Sequence, residues 1–137
     1  MKPEQFIREF GVEKAREVVE GHSKAYMPEL FKYWSEELND YVLAPRYASF
    51  LVEDLKRLVD SVELVNNCGG LAIANKITFQ KRLRNEKATH FIQHPENQKL
   101  IQLLGRNQRK PKEAIKFDLF EQAIRDHESI YGGGDDL

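Results

Sequence analysis

The alternation of apolar and polar positions is clearest between residues 51 and 71, LVEDLKRLVDSVELVNNCGGL. Leu51, Leu55, Leu58, Val59, Val62 and Val65 recur at three- and four-residue steps, so they share one face of a helix. Glu53 and Asp54 fall in its first turn, where carboxylates meet the partial positive charge of a helix start. Gly69 and Gly70 stop it, because glycine enters the left-handed region without steric penalty. An apolar stripe this wide has to be buried against other elements, and the rest of the chain must supply them.

The N-terminal third predicts two short helices. Pro3 suits a first helical turn, where its missing N–H would be unpaired anyway. Phe6, Ile7 and Phe10 form an inner face, Gly11 interrupts, and a second helix runs from Val12 to Glu20, with Gly21 as its stop. Residues 22–50 admit two readings. One is a helix from Pro28 with Leu30, Phe31, Trp34, Leu38 and Tyr41 at helical spacing. The other is a hairpin, FKYW and YVLA joined by SEELND, since aromatic and β-branched residues suit strands. The helical spacing favours the first. Pro45 and Ser49 mark a loop.

Beyond Gly70 the pattern predicts a helix from Leu71 that carries Ile73, Ile77 and Leu83, passes through KRLRNEK and reaches Phe91 and Ile92. His94-Pro95-Glu96 reads as a break with proline at the next helix start. Leu100, Ile101, Leu103 and Leu104 make a compact apolar patch closed by Gly105, and RNQRKPK (106–112) reads as an exposed basic loop. Asp118 and Glu121 have the spacing of a helix-start capping pair. Phe120, Ala123, Ile124, His127 and Tyr131 then line a last helix, and 132–137 form a frayed tail. No internal repeat is visible in the string. The expected fold is a mainly α-helical single domain over 1–131, with five to seven helices and room for one β-hairpin in residues 31–44. Its expected core is Phe6, Phe10, Val18, Leu55, Leu58, Val59, Val62, Phe120 and Ile124.

Length and composition set few limits. A chain of 137 residues with 41% hydrophobic and 31% charged residues can bury one core without staples. No apolar run is long enough for a membrane span. The lone Cys68 forms no internal disulfide and suits a reducing cytosol. The net charge of −1 conceals a block pattern. Residues 1–75 hold 9 Lys/Arg against 13 Asp/Glu, residues 76–116 hold 11 against 3, and residues 117–137 hold 1 against 6. A basic block between acidic flanks is the composition signal that bears on function.

Three stretches, MKPEQFIREFG, DLKRLVDSVELV followed by GGL, and LFEQAIRDHESIYGG, resemble segments of small accessory proteins of lambdoid phages and prophages. They span less than half of the chain. The resemblance implies a cytoplasmic place in a bacterial host and a gene outside the core phage machinery. It carries no activity and no site residues. It also suggests a protein that acts by binding a host factor, as an inhibitor or modulator.

Two binding chemistries follow from the residues. Lys81, Arg82, Arg84, Lys87, Arg106, Arg109, Lys110 and Lys112 can each neutralise a phosphate, with release of counterions. Asn107 and Gln108 can add hydrogen bonds. The competing reading is that these cations pair with the acidic flanks. Tyr26, Phe31, Tyr33, Trp34, Tyr41 and Tyr47, with Met27, crowd into 22 residues, as the anchors of a protein interface do. Here the competing reading is that the larger rings fill the core. Homodimerisation through that patch, or through Leu100–Leu104, is a third use of such a surface.

Other chemistry is thinner. FIREFGVEKAREVVE has a helix-turn-helix outline, but Ile7 is bulky where the helices meet, and Glu13, Glu17 and Glu20 would repel phosphate. His90 and His94 would share a helix face as metal ligands do, without a nearby third ligand. Cys68 beside two glycines could have its thiol activated by the following helix start, or simply pack. Phosphate loops, nucleophile elbows and paired-cysteine patterns do not occur. The sequence therefore points to a non-enzymatic binding protein without cofactor or metal. Its partner would be a host protein or, as the alternative, nucleic acid at residues 76–116, and no membrane is implied.

Overall fold

The computed structural model describes residues 1–43, 46 and 48–132. Five helices occur among them: α1 (Pro3–Phe10), α2 (Val12–Ser23), α3 (Val52–Asn67), α4 (Leu71–Arg84) and α5 (Phe117–Tyr131). Six short strands accompany them: β1 (Tyr33–Ser35), β2 (Asp40–Val42), β3 (Phe50–Leu51), β4 (His90–Gln93), β5 (Ile101–Leu104) and β6 (Ile115–Lys116). The strands form two three-stranded antiparallel sheets, ordered β2-β1-β3 and β5-β4-β6. The chain is therefore a mixed α/β protein, which overturns the expectation of a mainly α-helical fold with at most one hairpin. Ala44, Pro45, Tyr47 and the tail from residue 133 lie outside the described residues.

The chain divides into two compact units. The first comprises Met1–Asp60 with Glu128–Leu137, and the second comprises Ser61–His127. The division falls inside α3 and α5.

In the first unit Gly11, at φ 90°, both ends α1 and opens α2, a turn that L side chains rarely make. α2 runs on through Gly21 to Ser23 instead of stopping there. A Cβ on Gly21 would stand 2.7 Å from the Tyr41 hydroxyl oxygen, so the glycine admits that ring. Residues 33–42 adopt the hairpin, with no helix from Pro28. Its turn is held by the Leu38 N–H donating to Ser35 Oγ (3.2 Å), with Asn39 at φ 52°. Trp34, on the central strand, lies opposite both Tyr41 and Phe50. Phe6 packs edge-on against Phe50 (5.5 Å) and Trp34 (6.4 Å). Phe10, an expected core residue, is 45% exposed; its ring lies against the rim of this cluster, 4.9 Å from Phe6. The other expected core residues are buried.

In the second unit α4 ends at Arg84, and the expected continuation to Ile92 is a loop followed by β4. The patch at Leu100–Leu104 is likewise strand, and His94–Glu96 lies in the connection between β4 and β5. Phe91, on the central strand, lies opposite Leu103 and Ile115. It packs on Phe117 (4.9 Å) and Phe120 (4.8 Å), in a core shared with Val65, Cys68, Ala74 and Ile77.

The two units follow one plan, which the residue string conceals. Each has a helix, a glycine at φ near 90–102°, a second helix, a hairpin, an edge strand pairing with the hairpin's first strand, and a helix that starts at once. Ala15 and Ala74, both fully buried, donate N–H bonds to the carbonyls of Gly11 and Gly70. The Val52 N–H donates to the Lys32 carbonyl and the Phe117 N–H to the Thr89 carbonyl, each at 2.9 Å. These anchors make Val18 equivalent to Ile77, His22 to Lys81, Trp34 to Phe91, and Val52 to Phe117. The finding corrects the reading that the chain holds no repeat.

Phe91 is fully enclosed, and truncating such a ring costs about 3–5 kcal/mol. Phe91→Ala is expected to lower the urea midpoint by that much stability, while Phe10→Ala, at a half-exposed ring, shifts it by under about 1 kcal/mol.

Candidate functional site: a cationic sheet end and an acidic-rimmed cleft

Register gathers the basic residues of the second unit. His90 lies opposite Leu104 on one side and Lys116 on the other, so β4 begins where β5 and β6 end. The Thr89 N–H donates to the Leu104 carbonyl at 2.9 Å, closing that end. Into it run the last turn of α4, with Lys81, Arg82 and Arg84, and the connection bearing Lys87. Out of it runs the β5–β6 connection, with Arg106, Arg109, Lys110 and Lys112. The expected phosphate-binding set thus lies on the last turn of α4 and on the connections before β4 and after β5, with Lys116 at the end of β6; Arg82 also lines a cleft with Glu121 and Arg125.

All of these cations are exposed except Lys81 and Lys110, which are half-buried. Lys81 Nζ lies 5.4 Å from the centre of the Phe117 ring and donates to the Glu86 carbonyl (3.0 Å). Lys110 donates to the Arg106 carbonyl (2.7 Å), and Arg84 to Gln80 Oε1 (3.1 Å). The Arg82 guanidinium lies 5.7 Å from the Phe79 ring centre. Among the described residues, none of the eight is within salt-bridge distance of a carboxylate. Ion pairs such as Arg16–Glu13 and Lys56–Asp60 belong to the first unit. Cations in the last turn of α4 also gain from the helix dipole; those beyond Lys87 have no such structural reason.

The aromatic cluster is split. Trp34 is 5% exposed, wedged edge-on between Phe6 and Tyr41. It is a core residue, with no surface to offer. The Tyr41 hydroxyl donates to the Val18 carbonyl, and burial, then the Asp40 charge, holds its ionisation above the usual range. Phe31 and Tyr33 are half-buried, and Tyr47 lies outside the described residues. Tyr26 remains, 79% exposed and tilted against Phe31 (6.2 Å between ring centres), with Met27 and Leu30 also exposed beside it.

A cleft of about 590 Å³ lies in the first unit. Val19, Pro28, Leu51 and Val52 line its buried side, while Glu20, Glu29 and Glu53 stand exposed around it. Nothing in the string marks it, because its walls come from α2, the loop before β1, and the β3–α3 junction. Its apolar residues read as ordinary core.

The remaining candidates resolve simply. His90 is on β4 and His94 in the next loop, so they share no helix face. Among the described residues no cluster of three or more His, Cys, Asp or Glu could hold a metal. The glycines place the α4 start beyond Cys68, whose thiol is buried and pushed up to about 11 by loss of water, the opposite of an activated nucleophile. Among the described residues no helix is long and apolar enough to cross a membrane.

The Cys68 thiol has a folded-state pKa above its ordinary value, so its stabilising contribution is whole below pH 9 and is lost as pH rises through 11. Tyr41 acts in the same direction above pH 10. Stability is expected to fall on the order of 2–3 kcal/mol between these limits, read by urea unfolding, and less in Cys68→Ala relative to its own neutral-pH value. Ellman's reagent should label native Cys68 far more slowly than the unfolded chain. No protein-family model, characterised protein or solved structure matches this chain.

Proposed function

We propose that the second unit binds a polyanion, and that nucleic acid is its ligand. The observation that carries this reading is the set of eight cations on the α4 end and the connections flanking β4 and β5 that remain unpaired with carboxylates among the described residues. The second unit holds 12 Lys/Arg against 7 Asp/Glu, while the first holds 9 against 15. The competing idea, that the flanks neutralise the block, predicts ion pairs at these cations. Phosphates would instead replace water and small counterions around them, and the released ions supply the free energy. Most of these cations sit on loops and a helix end, which suits backbone contact more than base readout. The resemblance to phage accessory proteins supports a bacterial cytoplasm and a regulatory setting for this activity.

A second reading, binding of a host protein, draws on Tyr26, Met27 and Leu30, three exposed apolar side chains in one connection. They lie between α2 and β1, on the acidic unit. Apolar anchors set among polar surface are the usual signature of an interface.

Fluorescence anisotropy with a labelled DNA duplex tests the first reading. Affinity is expected to fall steeply as salt rises from about 50 to 200 mM, and alanine at Arg106, Arg109, Lys110 and Lys112 should reduce the slope by about 0.9 for each phosphate left without its cation. No binding at the lowest salt, to duplex or single strand, refutes it. The second reading expects salt-insensitive capture of a bacterial protein from nuclease-treated lysate, abolished in Tyr26→Ala/Leu30→Ala.

A further inference from the structure

The internal repeat turns the cleft of the first unit into a comparison. In the second unit the position equivalent to Val52 is Phe117, and the chain covers that ring itself. Lys81, on the preceding helix, holds its ammonium over it, 5.4 Å from the ring centre. The residue equivalent to Lys81 is His22, whose side chain forms part of the cleft wall. Its Nε2 donates to the Phe31 carbonyl at 2.9 Å and its ring packs at a tilt against Tyr41, centres 5.3 Å apart. Beside it, buried Val52 and half-buried Leu51 and Val19 give the cleft an apolar floor.

The charges around that cleft favour a cationic occupant. Glu20, Glu29 and Glu53 are exposed and make no ion pair among the described residues. Of the two lysines beside them, Lys56 is held by Asp60 at 2.9 Å and Lys32 alone opposes the carboxylates. The unit as a whole is acidic.

We infer that this cleft takes a cationic amphipathic segment of a partner protein, placing leucine-like side chains on Val19, Leu51 and Val52 and lysine or arginine among Glu20, Glu29 and Glu53. The inference rests on the protein-partner reading and gives that partner its chemistry. It is independent of polyanion binding by the second unit. Apolar side chains in a groove with cations at its edges are a known way for a peptide to dock.

The test uses the full chain, labelled with ¹⁵N, and a synthetic peptide alternating leucine and lysine. Amide shifts are expected at Val19, Ser23, Leu51 and Val52, saturating as one site. A leucine–glutamate peptide should leave them unmoved, and E20K/E29K/E53K, three exposed substitutions, should weaken binding at least about tenfold. Shifts scattered over the acidic surface, equal response to both peptides, or no response in the cleft overturn the inference. Urea unfolding of the triple variant verifies that it is folded. Tyr26-dependent capture from lysate with a silent cleft overturns the cleft chemistry and leaves the protein-partner reading standing. A responsive cleft without capture supports the cleft and removes that reading.

Discussion

Sheets of three strands, each two to four residues long, hold too few ladder hydrogen bonds and too little apolar face to stand alone. What fastens each one here is the ring on its central strand. Trp34 packs among Tyr41, Phe50 and Phe6, and Phe91 among Leu103, Ile115, Phe117 and Phe120. Burying such a side chain contributes about 2–3 kcal/mol by area. The edge strands have no other reason to lie where they do, and the helix after each sheet begins as soon as the third strand has paired. The cationic end and the cleft both sit beside these junctions, at Lys116–Phe117 and Leu51–Val52.

One backbone plan has thus been given two surfaces. The equivalent positions agree where they are buried: Ala15 with Ala74, Val18 with Ile77, Leu55 with Phe120, Val59 with Ile124. They diverge where water reaches them, as His22 against Lys81 and Lys56 against Glu121 show. Packing constrains volume and polarity within each core, whereas exposed positions are free to change sign. The second unit is cationic along its α4 end and the connections flanking β4 and β5, and the first carries carboxylates around a cleft. The same fold therefore supports opposite ligand charges, and charge, not topology, separates the two proposed sites.

Exposed cations on a helix end and its neighbouring connections repel one another only weakly at physiological salt, because water and ions screen them. Stability therefore leaves such a cluster nearly unopposed. A phosphate chain changes the balance by bringing several negative charges at fixed spacing, which dispersed surface carboxylates do not. Neutral groups behave differently: buried Cys68 and half-buried Tyr41 resist ionisation because burial removes water from them, with the Asp40 charge adding to the effect at Tyr41.

Much of the helical framework was legible in the residues. The stripe from Leu55 to Val65, the glycine stops at Gly11 and Gly69–Gly70, and the face of α5 are local patterns with a period of 3.6, and each helix satisfies its own backbone. The charge block was legible too, since counting needs no geometry. The strands were not. HFIQ and IQLL are four residues each, too short for alternation to outvote the helical spacing around them. Whether Trp34 fills a core or anchors a partner was equally undecidable, because both roles select the same side chain. By itself the sequence determined the apolar faces of the helices that form and where charge accumulates, because those properties are local, but it also favoured helices from Pro28 and across residues 85–92 that do not form. Only the tertiary structure decided that residues 90–93 are strand, that the chain repeats, that the cations stay free of carboxylate partners among the described residues, and that α2, the following loop and the β3–α3 junction enclose a cleft. Each of these depends on partners distant in sequence.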